Sequence, residues 1–388
     1  MAVVGIIAEF NPFHTGHKYL LDAAKKKGTV VCALSGNFVQ RGDVAFSEKR
    51  KRAEAALLCG ADLVATLPVC WSMSTAQNFA LGGVSVLKEC GCDTIMFGSE
   101  CGNVDTLLET ADVLESEAFK EELGKELKKG ITFAAARQKA AEKCGVEKGV
   151  LKGANNNLAI EYIIAAKRLS WNVKFETVKR AGAQHDSKCE AEFVSSSYLR
   201  EVLEAEYEKA KKYLPNKTHH IYEDQNFGNI KRLENAVLAV LRQKEKADLQ
   251  RLPGLSEGVE NKLYEAIRKS ATLDELYSGI KVKRYTLSRI RRLVLSAFLE
   301  IDNRFFLKPV PFLQILGMSQ KGQTLLKKIA KETSVPIILR AKDAENLSGD
   351  SKAAFNIETK ATDVYMLSLK NSLPCGKEYT AKIIKMEK

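Results

Sequence analysis

The chain has 388 residues, of which 45% are hydrophobic, and it carries a formal net charge of +12. This length accommodates two or three domains, and the composition is typical of soluble globular proteins. The first apolar run is short, has no basic residue before it and ends at Glu9, so we expect it to be neither a secretory signal nor a membrane span. The nine cysteines are irregularly spaced, which predicts free thiols in a cytoplasmic protein rather than a disulfide framework.

The basic excess lies in the second half of the chain. Residues 1–200 hold 26 Lys and Arg against 24 Asp and Glu, whereas residues 201–388 hold 34 against 24. A basic half joined to a nearly neutral half indicates a polyanionic substrate such as RNA. A solvated lysine-rich surface would have the same composition, so charge alone leaves both interpretations open.

The first half alternates between strand and helix patterns. Short apolar runs rich in β-branched residues predict strands at 3–8, 29–34, 62–67, 94–97 and 172–178. Helical patterns lie between the first four of these strands, at 16–27, 47–58 and 75–90. This alternation predicts a mainly parallel sheet covered by helices. Polar loops follow the strands and are expected to line one rim of that sheet, at 11–17, 35–43 and 98–103.

The motif His14-Thr15-Gly16-His17 lies where the first strand passes into the first helix. Unpaired amide groups and the helix dipole favour an anion at such a position, and two imidazoles add further donors. The sequence has no Gly-x-x-x-x-Gly-Lys-Ser/Thr motif and no Gly-x-Gly-x-x-Gly after the first strand. The histidine pair, with Lys18 beside it, is therefore the candidate site for a nucleotide triphosphate, where catalysis rests on positioning and electrostatics.

A second polar segment, Val194-Ser195-Ser196-Ser197-Tyr198-Leu199-Arg200, precedes a helical pattern at 197–213. Its three hydroxyls load a helix N-terminus with donors, and Arg200, one turn into the helix, is near enough to share an anion. Taken alone, the segment is an ordinary serine cap with a surface arginine. Together with the histidine pair in the same α/β unit, it favours a shared phosphate site.

The pattern changes after residue 214. A polar stretch at 216–229 predicts a linker. Amphipathic helices follow it, at 230–246, 259–270, 273–277 and 286–299. Short α/β pieces are predicted after these helices, at 312–316, 321–331 and 336–339. The densest cluster of basic residues lies among the helices and includes Lys283, Arg284, Arg289, Arg291 and Arg292. This cluster predicts contact with RNA phosphates, with one solvated helix face as the alternative.

The histidine pair and the segment Val194–Arg200 together resemble the paired motifs of the HIGH-type nucleotidyltransferase superfamily. Two longer stretches and two short ones narrow the resemblance to the bacterial tRNA(Met) cytidine acetate ligases. They are Gly5-Ile6-Ile7-Ala8-Glu9-Phe10-Asn11-Pro12-Phe13-His14-Thr15-Gly16-His17, Ser35-Gly36-Asn37-Phe38-Val39-Gln40-Arg41-Gly42, Phe97-Gly98-Ser99-Glu100 and Asn155-Asn156-x-Leu158. The resemblance is strong over residues 1–200 and loose beyond them.

The resemblance implies an α/β fold: a Rossmann-like parallel sheet of the HIGH nucleotidyltransferase type, followed by a mainly helical, basic C-terminal region with a small α/β part. It implies a catalytic domain at 1–213 and a tRNA-binding region at 214–388. The implied activity forms acetyl-adenylate from ATP and acetate, then acetylates N4 of the wobble cytidine of elongator tRNA(Met). Mg²⁺ is expected with ATP, and neither a protein-built metal site nor an obligate protein partner is expected.

The resemblance and the residue patterns together predict roles for individual residues. The expected catalytic residues are His14, His17 and Lys18. The expected ATP-binding residues are Ile7, Ala8, Glu9, Phe10, Asn11, Pro12, Phe13, His14, Thr15, Gly16, His17, Lys18, Tyr19, Leu20, Gly98, Gly102, Asn155, Arg180, Ser196 and Ser197. The expected tRNA-binding residues are Lys283, Arg284, Arg289, Arg291 and Arg292. Two alternatives stay open: adenylyl or cytidylyl transfer to a phosphorylated metabolite, and RNA binding by a degenerate nucleotide fold.

Overall fold

A computed structural model describes residues 2–179, 194–255, 258–281 and 285–386. The strands in these residues are β1 (Val3–Ala8), β2 (Thr29–Ser35), β3 (Phe38–Val39), β4 (Asp43–Val44), β5 (Leu63–Leu67), β6 (Thr94–Ser99), β7 (Lys174–Lys179), β8 (Leu313–Met318), β9 (Ile337–Ile338) and β10 (Ile384–Lys385). Short 3₁₀ turns connect some of the elements, at Val150–Lys152, Lys211–Tyr213, Asn216–Thr218, Ile230–Leu233 and Asn303–Phe305.

Helices make up most of the remaining described chain. Those of the first half are α1 (Thr15–Lys25), α2 (Lys49–Leu58), α3 (Val69–Ser72), α4 (Ala76–Glu89), α5 (Val104–Glu115), α6 (Glu117–Lys128), α7 (Phe133–Lys143), α8 (Ala154–Arg168) and α9 (Ser196–Ala205). Those of the second half are α10 (Tyr207–Ala210), α11 (His219–Tyr222), α12 (Glu234–Arg242), α13 (Lys246–Leu249), α14 (Val259–Lys269), α15 (Leu273–Ile280), α16 (Leu287–Leu299), α17 (Gln320–Glu332), α18 (Ala341–Glu345), α19 (Gly349–Ser368) and α20 (Lys377–Thr380).

One sheet organises the molecule, with the strand order β10-β8-β5-β2-β1-β6-β7 and β9 also paired to β8. The pairs β5–β2, β2–β1, β1–β6 and β6–β7 are all parallel. Strands β2 and β5 are buried along their whole length, as expected for parallel strands covered by helices on both faces. The predicted Rossmann-like parallel sheet is confirmed, and each of the five predicted first-half strands is present.

The C-terminal half contributes strands to this same sheet. Strand β8 pairs with β5 in the antiparallel direction, and β10 and β9 pair with β8. The predicted α/β pieces near 312–316 and 336–339 are therefore strands that extend the catalytic sheet. The sheet includes strands from both sides of residue 213. The division of the chain into two domains at that residue stays a prediction.

The expected linker at 216–229 is wrong. Tyr222 is fully buried, and its hydroxyl accepts a hydrogen bond of 3.2 Å from the Phe13 N–H. Phe227 stacks on Phe46 with ring centroids 4.0 Å apart. The polar residues of this segment suggested a solvated connection, but its buried aromatic side chains outweigh them because each removes a large apolar area from water.

The described helices include none that is long and apolar enough to cross a membrane. The eight cysteines in the described part of the chain are free, and five of them are buried. Burial raises the pKa of the Cys59 thiol to about 11, which makes this cysteine unreactive at neutral pH.

A buried ion cluster fastens the C-terminal helices to the first half. The Lys49 Nζ lies 2.7 Å from Glu358 Oε1 and 2.5 Å from Glu378 Oε1, and all three side chains are inaccessible to solvent. Burial alone would lower the pKa of Lys49, but the two carboxylates raise it above its ordinary value. Glu358 Oε2 also accepts a hydrogen bond from the Val69 N–H at 2.6 Å. The cluster thus joins α2, α3 and α19.

Replacing Lys49 by methionine removes the cation that lies between two buried carboxylates, and it leaves Glu378 with only Arg50, at 3.6 Å. We expect Lys49→Met to lower the free energy of unfolding by about 3–5 kcal/mol, the usual cost of breaking a buried ion pair. Urea denaturation measures this loss. The matched control is Lys120→Met, which removes a lysine paired with Glu117 on the surface and is expected to cost less than about 1 kcal/mol. Equal, small losses in both variants would contradict the role given to the buried cluster.

Candidate active site

The loops that carry the predicted motifs meet where the strand order of the sheet reverses. Strands β2 and β5 lie on one side of β1, and β6 and β7 lie on the other. The crevice at the carboxyl ends of β1 and β6 is the usual ligand site in such a sheet. Because β1, β2 and β6 are parallel, the loops that follow them share one rim, as the sequence predicts.

His14 and His17 form a capped turn at the start of α1. His14 is the N-cap residue, and its Nδ1 accepts a hydrogen bond of 3.0 Å from the Gly16 N–H. His17 Nδ1 accepts one of 3.3 Å from the His14 N–H. The two rings stack with centroids 3.7 Å apart. The prediction that these imidazoles lie together at a helix N-terminus is confirmed.

These contacts select the tautomer of both histidines. A ring nitrogen that accepts a hydrogen bond carries no proton, so each neutral ring has its proton on Nε2. Both residues can therefore donate from Nε2 to an oxyanion while Nδ1 holds the turn. The Gly16 N–H is engaged in this cap by His14 Nδ1. The turn therefore offers its two imidazole Nε2–H groups and the helix dipole to phosphate oxygens.

Aromatic side chains support the histidine turn from within the protein. The ring of Phe10 lies 4.9 Å from that of Phe13 and 5.0 Å from that of His17, and both phenylalanines are buried. Phe10 has a φ of 46°, a left-handed conformation that costs a non-glycine residue of order 1–3 kcal/mol. Burial of its ring offsets this cost and fixes the loop between β1 and α1.

Arg52 joins the loops that follow β1 and β2, a role the sequence did not reveal. Its buried guanidinium donates hydrogen bonds to the carbonyl oxygens of Ser47 at 2.8 Å, Glu9 at 2.6 Å and Gly36 at 2.5 Å. Burial lowers the pKa of this arginine. In the sequence Arg52 ends a run of four basic residues, which suggests a solvated surface. The small residues that follow it were the one signal of a buried helix face: Ala53, Ala55 and Ala56.

Arg200 brings the two predicted motifs together. Its Nη1 donates to the Asn11 carbonyl at 2.8 Å, and its Nη2 donates to Ser197 Oγ at 3.1 Å. Ser195 caps α9 by accepting a hydrogen bond from the Tyr198 N–H. The serine segment and the loop after β1 therefore belong to one site. Helix α9 ends at Ala205, so the predicted helix at 197–213 is interrupted.

Glu100 organises the loop after β6 and was missed by the sequence analysis. Its Oε1 accepts hydrogen bonds from the backbone and side-chain nitrogens of Asn155, at 3.1 and 2.6 Å, and its Oε2 accepts one from the Asn156 N–H at 2.8 Å. Burial alone would raise the pKa of Glu100, but these hydrogen bonds lower it. Gly102, with φ of +67°, packs on the Lys179 side chain, whereas Gly98 lies within β6.

The remaining predicted ATP-binding residues extend from β1 into α1. Ile7 and Ala8 end the strand, and Tyr19 and Leu20 lie in the second turn of the helix. Lys18 is half exposed and forms an ion pair with Asp22 on the same helix. Ser196 begins α9. Arg180 lies outside the described residues.

The predicted tRNA-binding arginines of α16 contact protein groups. Arg289 stacks on Tyr285 and donates to the Gly254 carbonyl at 2.7 Å. Arg291 lies 4.0 Å from Asp43. Arg292 donates to a backbone carbonyl of the hairpin formed by β3 and β4. Two further predicted residues lie outside the described ranges, namely Lys283 and Arg284.

Among the residues that the structure describes, no three His, Cys, Asp or Glu side chains are grouped to hold a metal ion. The site offers imidazole, guanidinium, hydroxyl and amide donors, which fit the phosphates of ATP.

The sequence matches the family model described as HIGH Nucleotidyl Transferase over residues 1–378. Among curated proteins, it is 36% identical to the tRNA(Met) cytidine acetate ligase of Thermoanaerobacter sp. (strain X514), over 100% of both chains. It is 38% identical to the ligase of the same name from Caldanaerobacter subterraneus subsp. tengcongensis, again over 100% of both chains.

Solved structures agree with these relatives. The crystal structure of apo Thermotoga maritima TmcAL superimposes with a TM-score of 0.90 at 29% identity, covering 100% of both chains. The structure of the same protein bound with alpha-thio ATP superimposes with a TM-score of 0.87 at 28% identity, also over 100% of both chains. The chain therefore belongs to the HIGH nucleotidyl transferase family and, within it, to the tRNA(Met) cytidine acetate ligases.

Proposed function

We propose that this protein activates acetate with ATP and transfers the acetyl group to N4 of the wobble cytidine in elongator tRNA(Met). The observation that carries the proposal is the stacked histidine pair at the N-terminus of α1, where the strand order of the sheet reverses. The whole chain is similar to a structure bound with alpha-thio ATP. The names of the full-length relatives support tRNA(Met) and acetate as its substrates.

In the first step, an acetate oxygen attacks the α-phosphorus of ATP. The bond from this phosphorus to the bridging oxygen breaks, so acetyl-adenylate forms and pyrophosphate leaves. His14 and His17 donate from Nε2 to the phosphate oxygens, where negative charge grows in the transition state. The positive end of the α1 dipole acts with them, and its orientation is fixed before the reaction. Arg200 and Ser197, which contact each other beside the Asn11 carbonyl, supply further donors.

In the second step, N4 of the cytidine attacks the acetyl carbonyl carbon. The carbon–oxygen bond to the adenylate breaks, AMP leaves, and the amine loses one proton. The enzyme's task in this step is to hold the amine and the acyl carbon within reach of each other and to exclude water, which would hydrolyse the adenylate.

The proposed residue roles follow the sequence analysis. His14, His17 and Lys18 are proposed as catalytic residues, with ATP held by residues 7–20, Gly98, Gly102, Asn155, Arg180, Ser196 and Ser197. Lys18 would reach the phosphates from the first turn of α1 after exchanging its partner Asp22. We propose Mg²⁺ only as a companion of the ATP phosphates.

The tRNA is proposed to bind the C-terminal half of the chain, 214–388, which carries most of the net positive charge. Lys283, Arg284, Arg289 and Arg291 are the proposed phosphate contacts. Arg291 lies 4.0 Å from Asp43 of the hairpin of β3 and β4, which would bring bound tRNA to the side of the rim formed by the loop after β2.

Acetate-dependent exchange of labelled pyrophosphate into ATP tests the first step. We expect His14→Ala and His17→Ala each to slow this exchange by about 10²- to 10³-fold, because each removes one oriented donor from a developing charge. The matched control is His220→Ala, since His220 is exposed on α11 and lies 3.6 Å from Glu54; it should exchange at the wild-type rate. Absence of exchange in the wild type with acetate would contradict the proposal.

Mass spectrometry of tRNA from a deletion strain tests the second step. We expect elongator tRNA(Met) from that strain to lack N4-acetylcytidine, and the wild-type gene to restore it. A gene carrying His17→Ala should restore little of the modification, because acetyl-adenylate forms about 10²- to 10³-fold more slowly. Unchanged modification in the deletion strain would favour transfer of a nucleotide to a small phosphorylated metabolite instead.

A further inference from the structure

The hairpin of β3 and β4 lies between the loop after β1 and helix α16. Its tip is Gln40-Arg41-Gly42, and its strands Phe38–Val39 and Asp43–Val44 pair in the antiparallel direction. The Gln40 N–H donates a hydrogen bond of 2.8 Å to Glu9 Oε1. The Gln40 carbonyl accepts one of 2.8 Å from Arg292 Nη1. One residue of the hairpin thus connects α16 with the residue that follows β1.

The hairpin tip also lies directly against the backbone of α16. A Cβ atom on Gly42 would be 2.6 Å from the Arg292 backbone nitrogen and 2.7 Å from Arg291 Cβ, and Gly42 has a φ of +72°. Any side chain at this position would push the tip away from the helix. The contact between tip and helix is therefore set by Gly42 on one side and by Arg292 on the other.

The base of the hairpin is anchored separately. Arg52 donates to the Gly36 carbonyl, and the Lys49 N–H donates to Asn37 Oδ1 at 2.8 Å. Ser72 Oγ donates to the Phe38 carbonyl at 2.9 Å. With its base fixed by these contacts, the hairpin depends on α16 for the placement of its tip.

Glu9 transmits this placement to the histidine turn. Its carboxylate is held by the Gln40 N–H and its carbonyl by Arg52, and it begins the loop that leads through Phe10 to His14. Burial raises the pKa of the Glu9 carboxyl, while the Gln40 hydrogen bond and nearby arginines oppose that rise. Without the Gln40 contact, the Glu9 carboxyl would lose a hydrogen bond that fixes its position. Glu9 belongs to the loop proposed to bind ATP.

Arg292 is less exposed to solvent than a residue that binds RNA on the protein surface would be. Burial is the main reason that its pKa falls to about 10, with the neighbouring Arg289 adding to the effect, so the guanidinium is still charged at neutral pH. Its Nη1 is already engaged by the Gln40 carbonyl. Reaching a phosphate would require breaking this bond and moving the hairpin tip.

We propose that Arg292 is a positioning residue for adenylate formation, acting through Gln40 and Glu9 on the histidine turn, and does not bind tRNA phosphates. The inference rests on the proposed function, because it assigns Arg292 to the first of its two steps. It replaces the sequence-based prediction for this residue, and it leaves Arg289 and Arg291 as proposed tRNA contacts.

The two roles predict different behaviour in the absence of tRNA. Pyrophosphate exchange needs only ATP and acetate. A residue that serves only to bind tRNA should therefore not change the exchange rate when it is replaced. We expect Arg292→Gln to lower kcat for tRNA-free exchange by about 10- to 100-fold, since small misplacements of reacting groups cost this much. The dissociation constant for tRNA(Met), and its dependence on salt, should be unchanged.

Two further variants separate positioning from loss of charge or of stability. Gly42→Ala retains every charge but lifts the hairpin tip, so it should show the same loss of exchange. Arg292→Lys keeps a donor within reach of the Gln40 carbonyl and should recover part of kcat. Arg242→Gln is the matched control, because Arg242 also donates to a backbone carbonyl, that of Ser270, elsewhere in the C-terminal half; it should exchange normally. Urea denaturation of each variant checks that it is folded.

The outcomes are distinguishable. No exchange by the wild type would overturn the proposed function itself. Wild-type exchange with normal exchange by both Arg292→Gln and Gly42→Ala would overturn the positioning role. Normal exchange by Arg292→Gln with a salt slope of tRNA binding reduced by about one would make Arg292 a phosphate ligand. If Arg292→Gln is unfolded, Gly42→Ala and Arg292→Lys decide between the two roles by the same measurements.

Discussion

A single buried guanidinium, that of Arg52, holds the active-site rim together. A buried charge is costly unless polar groups replace its water, and here three backbone carbonyls do so. Because these carbonyls come from the segments after β1 and β2 and from the start of α2, satisfying the charge fixes the spacing of the loops. The three hydrogen bonds of Arg52 thus connect α2 with the loop that leads to the histidine turn and with the base of the hairpin.

The second half of the chain has a structural role in the catalytic half as well as a proposed role in binding tRNA. Tyr222 supplies a hydroxyl to the Phe13 N–H, and Glu358 supplies a carboxylate to Lys49 and the Val69 N–H. These contacts are buried, so a missing partner would leave polar groups without compensation. The loops of the proposed ATP site are therefore supported by residues from both halves of the chain, and a fragment ending near residue 213 would lack part of this support.

The sequence was informative where a signal is local. The strands follow from short apolar runs, and the histidine pair is identified within four residues at a strand–helix junction. The shared site of the serine segment and the histidine pair was predicted only because both motifs suited the same ligand. Arg52 and Tyr222 were missed since their importance lies in their partners; Phe13 and Tyr222 are 209 positions apart. No periodicity or spacing encodes such a contact, and the polar surroundings of Tyr222 indicated a linker.

The same limit explains the arginines of α16. The sequence of a basic helix is the same whether its arginines contact phosphate, solvent or a backbone carbonyl. Only the packed structure shows that Arg292 meets Gln40 and that Gly42 lies against the helix backbone. Charge density is thus a good guide to a class of partner but a poor guide to the role of each residue within it.

The antiparallel pairing of β5 with β8 has a consequence for synthesis of the chain. Leu63 and Met318 pair across this edge, so β5 leaves the ribosome long before its partner strand. At roughly 5–20 residues per second, the interval lasts on the order of tens of seconds. During that time β8 is not yet available to pair with the backbone N–H and C=O groups of β5 along this edge. Unpaired strand edges can pair with other chains. Nascent chains of this enzyme are therefore most exposed to aggregation in the middle of translation.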